Sequence, residues 1–245
     1  MSKQPKLILR ESAVRDMSQH LPVGSFIEMG AGTGHMASLF LERGFHGACH
    51  DLGESSRALM RKRFANCQDK VQVVDDLNAL RIGAFDYLLA FEVLEHIQED
   101  HKVLTEWLQY LKPGGTIVTS VPAHQRKFGR SDDIVGHVRR YEKTQFHALL
   151  HAAGLEDIRI INYGYPITEL TRLLSNRMIA NDRSYDNLNQ EQRSILSAQS
   201  KPPIIKKTLS FVSARMVTPF CHIQRWFYPK DLGDGIIATA RKPAG

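Results

Sequence analysis

Cysteine is scarce in this chain: Cys49, Cys67 and Cys221 are three, odd in number and widely scattered. That excludes a disulfide framework and offers no zinc-finger spacing, so the three read as buried thiols. Nowhere do eighteen apolar residues follow one another, so no membrane-spanning helix is expected. The first ten residues hold no apolar run of signal-peptide length, and the expected location is cytoplasmic. Internal repeats and low-complexity tracts are missing too, which removes solenoids and disordered tails from consideration. What remains is 245 residues of ordinary apolar and charged content, enough for one large α/β domain with an insertion.

The densest signal is Ser25-Phe26-Ile27-Glu28-Met29-Gly30-Ala31-Gly32-Thr33-Gly34-His35. It reads as a buried strand over Phe26–Met29, a glycine-rich turn, and a helix continuing through Met36–Leu41 until Gly44 stops it. Glycines at alternate positions let the chain turn sharply and bring backbone N–H groups close to a ligand. A dinucleotide fingerprint would need glycine at 35, where His35 stands. The acid at the strand end, Glu28, suits a ligand with positive charge and opposes a pyrophosphate.

An amphipathic helix is expected over Leu7–His20, ended by Pro22. Phe45–His50 reads as a second strand ending at Asp51-Leu52, about twenty residues beyond the glycines. A carboxylate at such a strand tip can accept both hydroxyls of a ribose, or instead cap the helix that starts at Glu54. Val71–Val74 is the third strand, followed by Asp75-Asp76-Leu77. Phe85–Phe91 is apolar throughout and reads as a central parallel strand buried on both faces, leading into Glu92-Val93-Leu94-Glu95-His96. A helix over Lys102–Leu111 is stopped by Lys112-Pro113-Gly114-Gly115, and Thr116–Val121 forms strand five. Gln145–Ala153, Leu155–Tyr163 and Asp234–Arg241 read as a helix and the last two strands.

Five elements in this order, Glu28–Gly34, Asp51, Asp76, Glu92–His96 and Lys112–Gly115, resemble the motifs of class I S-adenosylmethionine-dependent methyltransferases, of the kind acting on small molecules. The resemblance runs from Phe26 to about Val121. It implies an α/β fold: a Rossmann-like seven-stranded sheet, mostly parallel with the last strand antiparallel, and helices on both faces. It also implies S-adenosylmethionine as cofactor and S-adenosylhomocysteine as product. The cofactor residues so implied are Glu28, Gly30, Ala31, Gly32, Gly34, Asp51, Leu52, Asp76, Leu77, Phe91, Glu92 and His96. In the family, the acid–apolar pair after strand three meets the adenine, while the end of strand four meets the methionine part. The chemistry implied is attack of an acceptor on the sulfonium methyl, catalysed largely by positioning.

The connection from Ala123 to Tyr141 leaves the sheet edge where open α/β sheets bind substrates. It supplies His124 and His137 as candidate general bases with Tyr141 behind them, and Arg139 and Arg140 as candidate binders of a carboxylate or phosphate. Those arginines serve equally well as anchors of the loop. With no convincing metal-ligand cluster in the sequence, metal-independent transfer is expected.

Between Tyr163 and Lys230 lie ten basic and four acidic residues, while the rest of the chain balances. The expected division is therefore a cofactor-binding core over 1–162, a helical insertion over 163–230, and the final strand and tail over 231–245. Helices are expected over Ile167–Ile179, Gln190–Gln199 and Ile205–Met216, then a basic, aromatic amphipathic stretch over Phe211–Tyr228. That insertion suits a substrate lid or peripheral contact with a membrane surface, or ordinary packing. The expected acceptor is an anionic or lipid-like small molecule methylated on oxygen. Nucleic acid is the lesser reading, because no RNA-binding module accompanies the core; a non-enzymatic cofactor-binding protein is the third.

Overall fold

The computed structural model describes residues 5–179 and 214–245, with Asn187 and Arg193 between them. The helix expected over Gln190–Gln199, most of that over Ile205–Met216, and the Lys201-Pro202-Pro203 break lie outside the described residues.

Seven strands form one sheet: β1 (Ser25–Met29), β2 (His46–His50), β3 (Val71–Val74), β4 (Phe85–Phe91), β5 (Leu111–Pro122), β6 (Glu156–Tyr163) and β7 (Gly235–Arg241). Their order across the sheet is β3-β2-β1-β4-β5-β7-β6. Pairing is parallel from β3 to β5, and β7 runs antiparallel to both its neighbours. The Rossmann-like sheet expected from sequence is thus the sheet observed.

Strand periodicity explains how both faces are covered. Ile27, Met29, Leu88 and Ala90 point to one side, where Leu104 and Leu108 of α4 (Asp100–Leu108) and Phe146 and Leu150 of α6 (Lys143–Ala152) pack. Phe26, Tyr87, Leu89 and Phe91 point to the other. There they meet Leu9, Ala13 and Val14 of α1 (Pro5–Ser18), Phe40 of α2 (His35–Leu41) and Met60 of α3 (Glu54–Arg63). Central strands therefore have no polar face to spare, which is why β4 reads as a continuous apolar run.

Two boundaries differ from expectation. Helix α4 ends at Leu108 rather than Leu111, and β5 begins at Leu111 rather than Thr116. The segment Lys112–Gly115 is a bulge within the strand: Phe85 pairs with Leu111 and Tyr87 with Thr116, leaving three extra residues on β5. Gly114, at φ +75°, makes that bulge possible, and its N–H donates to Lys242 O at 3.0 Å. The polar connection after β5 also has structure of its own, in α5 (Arg130–Val135), and returns to the sheet where Tyr141 N donates to Pro122 O at 2.9 Å.

The described ends of the insertion, α7 (Ile167–Ile179) and α8 (Ala214–Ile223), are tied to the core. Gln224 Nε2 donates to Leu9 O at 3.0 Å, and Arg225 and Tyr228 both reach Asp16 of α1. Among the described residues no helix is long and apolar enough to cross a membrane.

Candidate active site

The carboxyl ends of the parallel strands gather the expected ligand positions on one edge. At β1 the chain turns through Gly30 (φ +63°), where a Cβ would meet Val93 at 2.6 Å, and Gly34 (φ +72°), where it would meet Phe64 at 2.6 Å. Glycine is therefore required twice, for conformation and for space. Asp51, at the tip of β2, accepts from Gly32 N at 2.8 Å and Gly53 N at 2.9 Å. It holds the glycine turn and the bend that leads into α3, whose N-cap residue is Gly53. Leu52 beside it is 82% exposed, an apolar surface with nothing packed over it.

Glu28 does not project into this edge. It is buried beneath the turn, and Oε2 has no hydrogen-bond partner. Burial pushes its carboxyl up to about 8, against the backbone hydrogen bond from Ala37 and the charge of Arg10. Phe91 is likewise internal, stacked on Phe40 at 6.3 Å, so only its backbone reaches the edge. At the end of β3, Asp76 is exposed and accepts from Asn78 N at 2.9 Å, with Leu77 half-buried beside it. Asp75 is paired outward with Arg57 and Arg61.

At the end of β4 the backbone takes an unusual turn, with Glu92 at φ +56°. Its carboxylate meets Lys6 at 3.0 Å and Arg10 at 3.6 Å, two α1 residues four apart and so on one helix face. Ser120 Oγ donates to it at 3.2 Å and Tyr163 Oη at 3.4 Å. Burial opposes ionisation of Glu92, but Lys6 and Arg10 outweigh it and hold the carboxyl well below the usual range. The sequence reading missed Lys6, Arg10 and Tyr163. The basic i, i+4 pair on α1 was the one signal for Lys6 and Arg10, and nothing in the sequence marked Tyr163.

The Gly136–Tyr141 run folds directly over Glu95-His96. Val138 N donates to Glu95 O at 2.8 Å, and His96 Nδ1 donates to Gly136 O at 3.2 Å. The imidazoles of His96 and His137 meet edge to face at 4.8 Å. His137 Nδ1 donates to Asp132 Oδ1 at 2.8 Å, while its Nε2 lies 3.6 Å from Glu95 Oε1. Burial lowers His137 despite the Asp132 charge, and burial together with His137 lowers His96 to about 4. Burial thus favours the neutral form of both rings.

The other loop candidates are placed differently. His124 belongs to a separate group, its Nδ1 3.2 Å from Glu142 and its Nε2 3.8 Å from Asp231. Tyr141 is buried and donates to Asp100 at 2.8 Å. Arg139 pairs with Asp100 at 2.7 Å and donates to Gln98 O. Arg140 is buried between Asp132 and Asp234, at 2.9 Å from each. Both guanidinium groups are engaged in anchoring the loop, which is the alternative the sequence left open for them. Asp132, not singled out from sequence, is the hub that orients His137 and Arg140 together. Where the sequence showed no metal-ligand cluster, the fold brings together Glu95, His96 and His137, and separately His124, Glu142 and Asp231.

Residues 6–160, more than half of the chain, match the family model described as a methyltransferase domain. The chain belongs to that family, the class I S-adenosylmethionine-dependent methyltransferases, and S-adenosylmethionine is the cofactor of the class. It is 28% identical over 104 residues to a ubiquinone biosynthesis O-methyltransferase of Xanthomonas campestris pv. campestris, covering 41% of this chain and 44% of that protein. The match thus spans less than half the length of that curated relative. Among solved structures, the YcgJ protein of Bacillus subtilis is similar with a TM-score of 0.60 at 12% identity, covering 96% of this chain and 99% of that one. Phosphoethanolamine N-methyltransferase 2 of Haemonchus contortus, solved with S-adenosyl-L-methionine, is similar at a TM-score of 0.57 and 18% identity, covering 96% and 52%. At these identities the structural likeness speaks for the fold alone.

Proposed function

We propose that this protein transfers the methyl group of S-adenosylmethionine to an oxygen of a small-molecule acceptor with an anionic or amphiphilic part. The acceptor oxygen attacks the methyl carbon, the carbon–sulfur bond breaks with its electron pair passing to sulfur, and S-adenosylhomocysteine leaves. Asp51 and Leu52 would flank the ribose, Asp76 and Leu77 the adenine, and the Gly30–Gly34 turn the methionine part. Glu28 and Phe91 would support these positions from the buried side, while Arg140 anchors the loop after β5.

One observation carries the oxygen reading: the imidazole of His137 is held by Asp132 at 2.8 Å beside the end of β4, where burial favours the neutral ring. Such a ring can take the acceptor proton at pH 7 while the carboxylate stabilises the cation that forms. Two observations support an amphiphilic acceptor. Helix α7 is tied to the loop after β5 through Lys127–Glu169, and to the start of β7 through Arg172–Asp234 at 3.3 Å. It also leaves Leu170, Leu173 and Leu174 exposed. The insertion, on this reading, roofs the acceptor.

The test is to incubate the protein with methyl-labelled S-adenosylmethionine and extract of its own host, then count label in aqueous, lipid and macromolecular fractions. Label in small molecules is expected, and mass spectrometry of the labelled product should find the methyl on oxygen; methyl on nitrogen or carbon would overturn the oxygen reading. Label only in RNA or protein would overturn the proposal.

A further inference from the structure

We infer that Arg10 of α1 is the receptor for a ligand carboxylate at the edge where β1 and β4 end. The inference rests on the proposed function, in which two ligands meet at that edge. S-adenosylmethionine carries a carboxylate on its methionine part, and the anionic acceptor supplies the other source of the same chemistry.

Glu92 does not account for Arg10. One oxygen of Glu92 accepts from Ser120 Oγ at 3.2 Å and Tyr163 Oη at 3.4 Å, and the other meets Lys6 Nζ at 3.0 Å. Arg10 Nη1 stands 3.6 Å from that second oxygen, beyond a hydrogen bond. Its Nε is buried with no hydrogen-bond partner. Tyr163, which also bonds to Arg10, is kept protonated by burial and brings no charge. Arg140 and Arg172, joined to Lys6 through Asp234, differ from Arg10 in that each holds a carboxylate at 2.9 Å.

The charges around Arg10 leave it in excess. Lys6 and Arg10 bring two positive charges to the one carboxylate of Glu92. Asp234, 3.5 Å from Lys6, is already shared by Arg140 and Arg172. Glu95 is pushed up by burial and by the charge of Glu92, so its uncharged form is favoured. A guanidinium withdrawn from water is costly without an anion, and a carboxylate offers it two parallel N–H···O bonds. One carboxylate from a ligand balances the pair.

Position agrees with charge. Arg10 acts on Glu28, beneath the glycine turn, as well as on Glu92 and Glu95. β1 and β4 are neighbours in the sheet, so Arg10 stands at their adjoining ends, beside the turn to which the methionine part is assigned. Side-chain exposures of 17% for Arg10 and 24% for Lys6 keep the pair within reach of a ligand. Leu9, Ala13 and Val14 fix α1 in the core, which holds the guanidinium on a rigid element.

The test compares S-adenosylhomocysteine with methylthioadenosine, which shares its nucleoside and sulfur but lacks the amino-acid part. Both are titrated by calorimetry into the native protein and Arg10→Met. If the carboxylate is the cofactor's, the substitution should weaken S-adenosylhomocysteine about 10- to 100-fold and leave methylthioadenosine within about twofold. If it is the acceptor's, both affinities should hold. The amount of host-extract small molecules needed for half-maximal transfer from methyl-labelled S-adenosylmethionine should then rise at least about tenfold. No change in either assay overturns the inference. So does an equal loss for both nucleosides, which is what a merely structural Arg10 would give. Should Arg10→Met fail to fold, Arg10→Lys, which keeps the charge and gives up Nε, is read by the same two assays. Native protein that binds S-adenosylhomocysteine but labels nothing in the extract would defeat the proposed function, and calorimetry would still decide the role of Arg10.

Discussion

The carboxylate of Asp51 accepts the N–H of Gly32 at 2.8 Å, so the tip of β2 holds in place the glycine turn that follows β1. Two segments about twenty residues apart are joined by one charge-assisted hydrogen bond, and the proposed function puts the ribose at that junction. Replacing Asp51 with Ala is expected to weaken S-adenosylmethionine binding at least about tenfold, or ~1.4 kcal/mol, by calorimetry. Unchanged affinity would remove Asp51 from the cofactor site.

His137 is expected to act on turnover and not on cofactor affinity. His137→Gln should lower kcat by about 10²- to 10⁴-fold while calorimetry shows S-adenosylmethionine bound as before. Because burial lowers His137, the native rate should fall only on the acid side, at a pH below that of an ordinary histidine. A native kcat in the variant would rule the ring out of the mechanism.

Arg140 is expected to matter for stability. Removing it leaves the buried Asp132 with no cation but His137, while Asp234 keeps Arg172 and Lys6, a loss of about 3 kcal/mol. Arg140→Met should therefore lower the midpoint of urea unfolding clearly. A large rise in KM with unfolding unchanged would restore Arg140 as a substrate binder.

Glu28 makes a prediction about pH. Its carboxyl is held at about 8 in the fold, above the ordinary glutamate value, so the folded chain binds the proton more tightly than the unfolded one. Its contribution is then fully present below the unfolded value and is lost as pH rises toward 8, at up to about 1.4 kcal/mol per pH unit. Urea unfolding of Glu28→Gln should show a shallower decline between pH 5 and 8 than the native protein. Parallel curves would show that Glu28 is ionised in the fold.

Most of the strands and the glycine turn were legible because each depends on local rules. Alternation of apolar residues reports a strand, and paired glycines report a turn with positive φ. The burial of Glu28 was not legible, since the same acid-glycine spelling serves a carboxylate facing a ligand or one facing the core. Nor was the fate of Arg139 and Arg140. Two adjacent arginines look alike in sequence whether they meet a substrate or Asp100, Asp132 and Asp234. The bulge at Lys112–Gly115 was read as a plain turn because its register depends on what β4 and the C-terminal tail present to it.

By itself, the sequence determined the strands and the glycine turn, because hydrophobic period and glycine spacing are written along the chain, and the five motifs it spells carried the resemblance to the family. Only the tertiary structure decided which charged groups meet. Glu95 and His137 are forty-two positions apart, and their juxtaposition exists only once the loop after β5 closes over the end of β4. Electrostatic partnership is a matter of distance in space and of burial, and neither quantity is carried by one stretch of chain.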